Sequence, residues 1–560
     1  LHEIGVRGRR VGGQARDRAA EEQEEERAEI DALVDWANHT ETGDRAEIEW
    51  LAESAPLWAD VTTTPDARIG PRCPHFERCF VTQARRLADH AQLVLVNHHL
   101  YFADRALRAA APGARILPDH DAVIFDEAHQ LEDVATEHFG VRISTARLGE
   151  LVRDAHLALA SMPLWTGRAD DDTIRSVERA GIALFAQLRA ALVAQTAGAG
   201  HDARIPLPGG LFDHPDRQAA WFGLDTALEE LARTAEAESE PPPDEESDET
   251  TGARALLSGL AQRTRALRDD LATIAEQRHK SHVYWGETRA TGTFLTASPI
   301  DVADLVRRYI LTAGPTPVLT SATLTAAGTF DYMRARLGLD DADELVVTSP
   351  FDYARQAMLY VPRDLPPATS GFSVAAAERT RELLAITQGR AFLLFTSHRT
   401  LREAAARLAE LPFPRIIQGE APRATLIDRF RATPHAVLFG TSSFWEGVDV
   451  PGDALSLVVI DKLPFAPHTD PLIAARMQAS LVAGHEPFAQ IQLPGAAIAL
   501  KQGFGRLIRR RDDRGIVAIL DGRVVTRGYG RVFLDTLPVG LPRSSALEQV
   551  RRWWNIASAA

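Results

Sequence analysis

The run Ala-Val-Ile-Phe-Asp-Glu-Ala-His at 122–129 sets two adjacent carboxylates, Asp126 and Glu127, directly after four apolar residues. Apolar continuity with Val and Ile predicts a fully buried parallel strand. The acids then fall where that strand leaves its sheet, the edge at which ligands bind in open α/β sheets. Asp126 there can hold a magnesium ion through water, and Glu127 can orient and deprotonate an attacking water. For a bare Asp-Glu pair a solvated acidic turn would be the better reading. The weight of this pair comes from the blocks it must cooperate with.

Two such blocks lie in the last third of the chain. Gln502-Gly503-Phe504-Gly505-Arg506-Leu507-Ile508-Arg509 carries two arginines three apart. On a helix both would share one side. Paired guanidiniums can neutralise charge developing on a transferred phosphoryl group, an effect worth about 10³ or more in rate. A solvated basic stripe, extended by Arg510 and Arg511, is the plainer alternative. The block 440–449 follows another apolar run, so Thr441 and Ser442 would lie at that sheet's ligand edge with Glu446 and Asp449 as acceptors. Trp445 reads either as a stacking platform for a base or as core. Residues 316–325 predict a short buried strand ending in hydroxyls, Ser321 and Thr323. Such side chains can bridge a catalytic acid to a neighbouring strand, or simply satisfy the strand end.

Metal chemistry finds less support. Cys73 and Cys79 are the two cysteines, with His75 between them. Two thiols cannot close a four-thiolate cluster, and half-buried thiols in a compact loop are the simpler reading. Asn97-His98-His99 follows an apolar run at 93–96 that predicts a second buried strand. The trio reads as turn chemistry or as a groove-facing strand end, and it lacks the acid or third His of a zinc site.

The elements that must position these groups follow from periodicity. Residues 17–38 predict a helix with a narrow packed face of Ile30, Leu33, Val34 and Trp36. Trp50, Leu51 and Trp58 suggest further packing, and 82–91 is helical in pattern. From 141 to 290 Ala, Leu and Arg at helical spacing predict a mostly helical insertion, interrupted by an acidic, disordered loop at 238–249. An α/β domain resumes near Gly292. After a boundary at Ser349-Pro350-Phe351, strand-like runs at 391–395, 436–439, 455–460 and 516–520 alternate with helical ones at 375–387 and 399–410, the pattern of a doubly wound parallel sheet.

Composition bounds the class. At 560 residues the chain accommodates two to four domains. Hydrophobic content of 45% with 25% charged residues is that of a globular protein. No run of eighteen apolar residues spans a membrane, no signal peptide opens the chain, and two cysteines suit a reducing cytoplasm. A net charge of −15 argues against a uniformly basic nucleic-acid coat and leaves room for a local positive groove. Lysine occurs only at Lys280, Lys462 and Lys501, none after a glycine, so the Gly-Lys-Ser/Thr loop that reaches β/γ-phosphates is absent from these residues.

Together the blocks resemble the XPD-like helicases of superfamily 2, most closely the bacterial DinG/YoaA type. Residues 122–129 match motif II, a DEAH box, 320–323 motif III, 392–398 motif IV, 440–449 motif V and 502–509 motif VI. Val-Asn-His-His-Leu and Ser-Pro-Phe-Asp are further phrases of the same family. The resemblance implies two RecA-like domains closing on ATP and Mg2+ and stepping 5′ to 3′ along single-stranded or forked DNA, in repair or replication. It implies catalytic roles for Asp126, Glu127, His129, Gln502, Arg506 and Arg509, and nucleotide contacts for Asp126, Gly447, Asp449 and Gly505. Nucleic-acid contacts would fall to Ser321, Thr323, Thr441, Ser442 and Trp445. The implied domains are an iron–sulfur-type region at 1–90, a first RecA-like domain at 91–140 and 291–350, a helical arch at 141–290 and a second RecA-like domain at 351–560. Family members often carry a [4Fe–4S] cluster on four cysteines. Cys73 and Cys79 match the last two and Arg68 stands where another is expected, so no cluster is expected here. With no phosphate loop, the expectation is a fragment short of about a hundred N-terminal residues that would not hydrolyse ATP well as it stands. An ATPase-deficient DNA-binding remnant and an RNA helicase are the alternatives.

Overall fold

The computed structural model describes residues 16–558 apart from 49, 53–54, 56, 63–67, 69, 74, 112, 161–168, 196–202, 241–247, 313, 368–370, 442–443, 446–449, 451 and 453. The chain divides into two compact units, one of residues 1–119 and 140–297, the other of 120–139 and 298–560.

In the first unit the helix Arg16–His39 packs Leu33 against Ile48, Leu51, Leu57 and Trp58, with Ile30 and Trp36 at the margin. Trp50, grouped with these from sequence, is instead half exposed. Four long helices, Thr145–Ala160, Ala169–Gln195, Pro215–Ser239 and Asp248–Ala275, bury Leu188, Leu228, Leu231 and Leu257 completely. Most of the acidic stretch at 238–249 lies outside the described residues, and its two ends belong to helices.

This unit also holds strands that helical periodicity concealed. With strands numbered along the chain, β2 (Val141–Ser144), β3 (Ile205–Pro206), β4 (His282–Arg289) and β5 (Gly292–Pro299) form a sheet in the order β2-β5-β4-β3. Val141 pairs antiparallel with Ala297. The segment from Gly292 to Ala297 therefore completes this sheet, and the second unit resumes at Ser298.

The second unit is built on seven strands: β7 (Ala357–Tyr360), β8 (Ala391–Leu394), β9 (Arg415–Ile417), β10 (Val437–Gly440), β11 (Leu457–Ile460), β12 (Gly515–Ile519) and β13 (Arg543–Ser544). They run in the order β13-β7-β12-β11-β8-β10-β9, and the pairings are parallel. Every residue of β7, β8, β10, β11 and β12 is buried, because helices cover both faces. This is the doubly wound sheet the alternation predicts.

The same unit carries a second, two-stranded parallel sheet of β1 (Ala122–Phe125) and β6 (Thr316–Leu319), in the register Ala122↔Thr316 to Phe125↔Leu319. Both strands lie where the sequence puts them, but they are not fully buried. Phe125 is 1% exposed, whereas Ile124 is 68% and Val318 47% exposed. Among the described residues these two strands make up the whole of that sheet. At 93–96, where the sequence predicts a strand, none forms. Leu93 and Leu95 are exposed, and the chain passes directly into the helix His98–Ala110.

Candidate active site

Motif II follows β1 through a sharp reversal. Glu127 adopts the left-handed conformation, φ 49° and ψ 43°, which costs a non-glycine residue about 1–3 kcal/mol and clusters at functional sites. Backbone bonds to the neighbouring strand hold the turn. Thr320 N donates to Phe125 O at 2.9 Å and Ala128 N to Thr320 O at 3.0 Å. The exposed carboxylate of Asp126 accepts from the Glu127 amide at 3.0 Å.

Three side chains then fix the second acid. Ser321 Oγ donates to Glu127 Oε2 at 2.9 Å. The ring Nδ1 of His129 lies 2.9 Å from Ser321 Oγ, 3.1 Å from Thr323 Oγ1 and 3.4 Å from Glu127 Oε2. Motif III thus bridges motif II from the neighbouring strand, with Thr323 buried behind Ser321 and its amide donating to Ser321 Oγ at 3.1 Å. The hydroxyls grouped with the nucleic-acid contacts therefore contact Glu127 and His129. An exposed carboxylate at a strand's carboxyl end fits a magnesium ion held through water, and a tethered second carboxylate fits the orientation of water.

One turn further on, Glu132 is buried against two guanidiniums. Its Oε1 accepts from Arg336 Nε at 2.9 Å and Nη2 at 2.5 Å, and Arg476 Nη1 stands 2.8 Å away. Arg476 also donates to Ile300 O at 3.1 Å and Thr136 Oγ1 at 2.9 Å. Burial pushes the Glu132 carboxyl up, but Arg336 and Arg476 outweigh it and hold the group below the ordinary carboxylate range. Arg476 comes from the helix Pro471–Val482 of the seven-stranded half, so the triad ties that half to the helix Leu131–His138 behind motif II. Nothing in the sequence pattern marks these residues as a set.

Motif VI departs from expectation. The helix Leu493–Phe504 ends before Arg506, so Arg506 and Arg509 do not share a helical face. Gly503 and Gly505 weaken the helix, and Asp513 supplies the alternative. Its buried carboxylate accepts the amides of Arg509 and Arg510, each at 2.7 Å, and of Gly452 at 3.0 Å. Arg506 Nε donates to Trp445 O at 2.9 Å, Arg509 is exposed, and Gln502 is buried inside the helix. Gly505 lies exposed at the helix end.

In motif V, Ser442, Glu446, Gly447 and Asp449 lie outside the described residues. Thr441 is buried, and its amide and hydroxyl both donate to Gln418 Oε1, at 2.6 and 2.9 Å. Trp445 is 4% exposed and belongs to the core, where a Cβ added to Gly503 would stand 3.0 Å from its ring. A base cannot stack on it as it lies, so the core alternative holds for this residue. Sequence reasoning missed Asp513 and Gln418. The pair Asp512-Asp513 after a run of arginines is a turn signal that points to the first.

Asn97 also resolves simply. It caps the helix His98–Ala110, its side chain accepting from Leu100 N at 2.8 Å. Cys73 and Cys79 are free and half-buried. Burial pushes the Cys79 thiol up, but the amides of Thr82 and Val81, the Thr82 hydroxyl and the Arg68 guanidinium bring it below its ordinary range. The residues present do not fit a [4Fe–4S] cluster. They offer two thiols, and a cation stands by one of them. Among the described residues no three His, Cys, Asp or Glu side chains are grouped to hold a metal ion.

Comparison with known proteins adds the family. The helicase C-terminal domain family matches residues 380–540, and the DEAD_2 family matches residues 68–148. The ATP-dependent DNA helicase YoaA of Escherichia coli is 36% identical over 542 residues, which is 95% of this chain and 80% of that protein. The chain belongs to the YoaA/DinG helicase family. The ATP-dependent helicase DinG of Mycobacterium tuberculosis is 34% identical, with 91% of this chain and 73% of that protein covered. A solved apo structure of XPD matches this YoaA/DinG member with a TM-score of 0.50 at 15% identity, covering 80% of each chain, a likeness of fold. Among the described residues no helix is long and apolar enough to cross a membrane.

Proposed function

We propose that this chain is the motor body of an ATP-dependent DNA helicase that moves 5′ to 3′ on single-stranded DNA and opens forked duplexes, acting in the cytoplasm in repair or replication. The observation that carries the reading is the tethered Glu127, held by Ser321 beside the exposed Asp126 at a strand's carboxyl end. Relatives named ATP-dependent DNA helicases support it. Asp126 would hold magnesium through water, and the bound ion would neutralise charge on the phosphates. Glu127 would orient the attacking water and accept its proton. Arg506 and Arg509 would balance the negative charge that develops on the transferred group. Contacts to the strand would be mainly to phosphate, hence salt-dependent and weakly selective for sequence.

A second reading, an ATPase-deficient DNA-binding remnant, rests on the absence of a Gly-Lys-Ser/Thr segment from the 560 residues. Strand displacement by the complete reading frame that encodes this chain separates the two. Forks with a 5′ single-stranded tail should open with ATP, and forks with only a 3′ tail should not. Binding without ATP-driven opening of either would establish the remnant, and opening of RNA but not DNA duplexes would establish an RNA helicase.

A further inference from the structure

The seven-stranded half holds a cavity of about 270 Å³ that no motif above accounts for. It lies at the carboxyl ends of β8, β11 and β12, under the helices Phe372–Thr387 and His398–Arg407. That is the sheet edge at which ligands enter α/β folds. Two phenylalanines, Phe372 and Phe395, and small residues such as Ala376 and Ala404 make its apolar walls. Its polar lining includes Thr400, Asp461 and Lys462, with Arg399 and Glu403 as a further pair 4.0 Å apart.

Asp461 is the unusual member. It is 6% exposed, and its Oδ1 accepts the amides of Lys462 at 2.7 Å and Thr396 at 3.2 Å. Those two bonds fill Oδ1 and fix the carboxyl plane. Burial pushes the group up to about 7, against the opposing pull of Lys462, those amides and the Thr400 hydroxyl. Near neutral pH it is thus present in both protonation states, so Oδ2 can accept a hydrogen bond in one and offer a proton in the other. Lys462 Nζ stands 5.5 Å from the Phe372 ring centroid, a cation over an aromatic face.

From these features we propose that the cavity is a nucleobase pocket, taking one adenine-type base edge-on to Asp461 and Thr400. A volume at the low end of ligand sites suits a single base or nucleoside and is too small for a triphosphate or a base pair. The Thr400 hydroxyl donates to Ser397 O at 3.0 Å and so presents an acceptor to the amino group of such a base. Asp461 when protonated presents a donor to the adjacent ring nitrogen, and aromatic and methyl groups on the other walls match its faces. Phosphate alone is a poor occupant, since two acids offset the two cations. The base can come from the translocating strand or from a free nucleoside. The first source rests on the function proposed above, because Thr400 and Arg399 stand on the helix that Ser397 of motif IV caps by accepting from Thr400 N at 3.2 Å.

The test uses the full chain and three probes: a single-stranded oligonucleotide carrying 2-aminopurine, an abasic oligonucleotide of the same length, and adenosine. Ala404→Phe fills the cavity, and Asp461→Asn keeps the acceptor for the two amides while removing the ionisable oxygen. Both should weaken 2-aminopurine or adenosine binding at least tenfold, with abasic binding unchanged and the circular dichroism of the folded parent retained. A response to adenosine identifies a free nucleoside as the source, and a response only to the base-bearing strand identifies the strand. The pocket is refuted if base-bearing and abasic strands bind alike and adenosine does not bind, or if Ala404→Phe changes nothing. Failure of the abasic strand to bind at all while adenosine still binds would count against the strand-tracking function and leave the pocket standing.

Discussion

Glu127 takes its one direct side-chain hydrogen bond, among the described residues, from the Ser321 hydroxyl, with His129 3.4 Å away. Its backbone is in the left-handed region, its carboxylate is half exposed, and Ser321 is the side chain that donates to it at 2.9 Å. A hydrogen bond to a charged group is worth about 1.5–3 kcal/mol, or roughly ten- to a hundredfold in rate if the acid must be aimed. Ser321→Ala in the complete reading frame should therefore lower the kcat of DNA-stimulated ATP hydrolysis by that factor and leave KM for ATP nearly unchanged. An unaltered kcat in steady-state assays would free Ser321 from this positioning role. The acids and their hydroxyl partners were legible in the sequence because each ends an apolar run. The partnership itself was not, since it joins residues 194 positions apart. Trp445 was ambiguous for the opposite reason: its type serves equally as platform or core, and only burial decides.

At the scale of elements, runs of apolar residues located β1, β8, β10, β11 and β12 to within two residues, and placed the start of β6 while carrying it six residues too far. They failed at 93–96, where an equally apolar run has no partner strand, because a parallel strand is defined by its neighbours more than by its own composition. They also passed over β2, β3, β4 and β5, whose residues lie within or beside a block dominated by helical spacing, and β7, β9 and β13 of the large sheet. The end of the helix at Phe504 was hidden because the competing acceptor, Asp513, is supplied from beyond the motif. The buried Glu132–Arg336–Arg476 triad was wholly illegible, as charged residues far apart in sequence carry no periodic signal. It makes a sharp prediction. Glu132→Ala leaves two buried guanidiniums without their counter-charge and should cost on the order of 3–5 kcal/mol in urea unfolding. Replacing all three residues by Leu and Met should recover most of that loss. A single-variant loss below about 1 kcal/mol would mean the triad is not buried in solution.

At the scale of the molecule, the two kinds of buried acid give stability opposite dependences on pH. Asp461 has its pKa raised from 3.8 to about 7, so its contribution is complete below the lower value and is lost as pH rises through the upper. Three units correspond to roughly 4 kcal/mol. Glu132 is held low, so its contribution is present above the ordinary carboxylate range and fades as pH falls. Asp461→Asn should flatten the decline in unfolding free energy between pH 4 and 7, read by denaturant titration at several pH values. A slope equal to that of the parent protein would place the carboxyl in contact with water. These terms act on the body of the helicase; the proposed catalytic acids lie at the edge of the small sheet. The most direct measurement is single-stranded-DNA-stimulated ATP hydrolysis by the complete reading frame beside Glu127→Gln, which removes the proposed base but keeps an acceptor for Ser321. The kcat should fall by about 10² or more while DNA binding persists. Equal turnover in the two proteins would contradict the proposed role of Glu127.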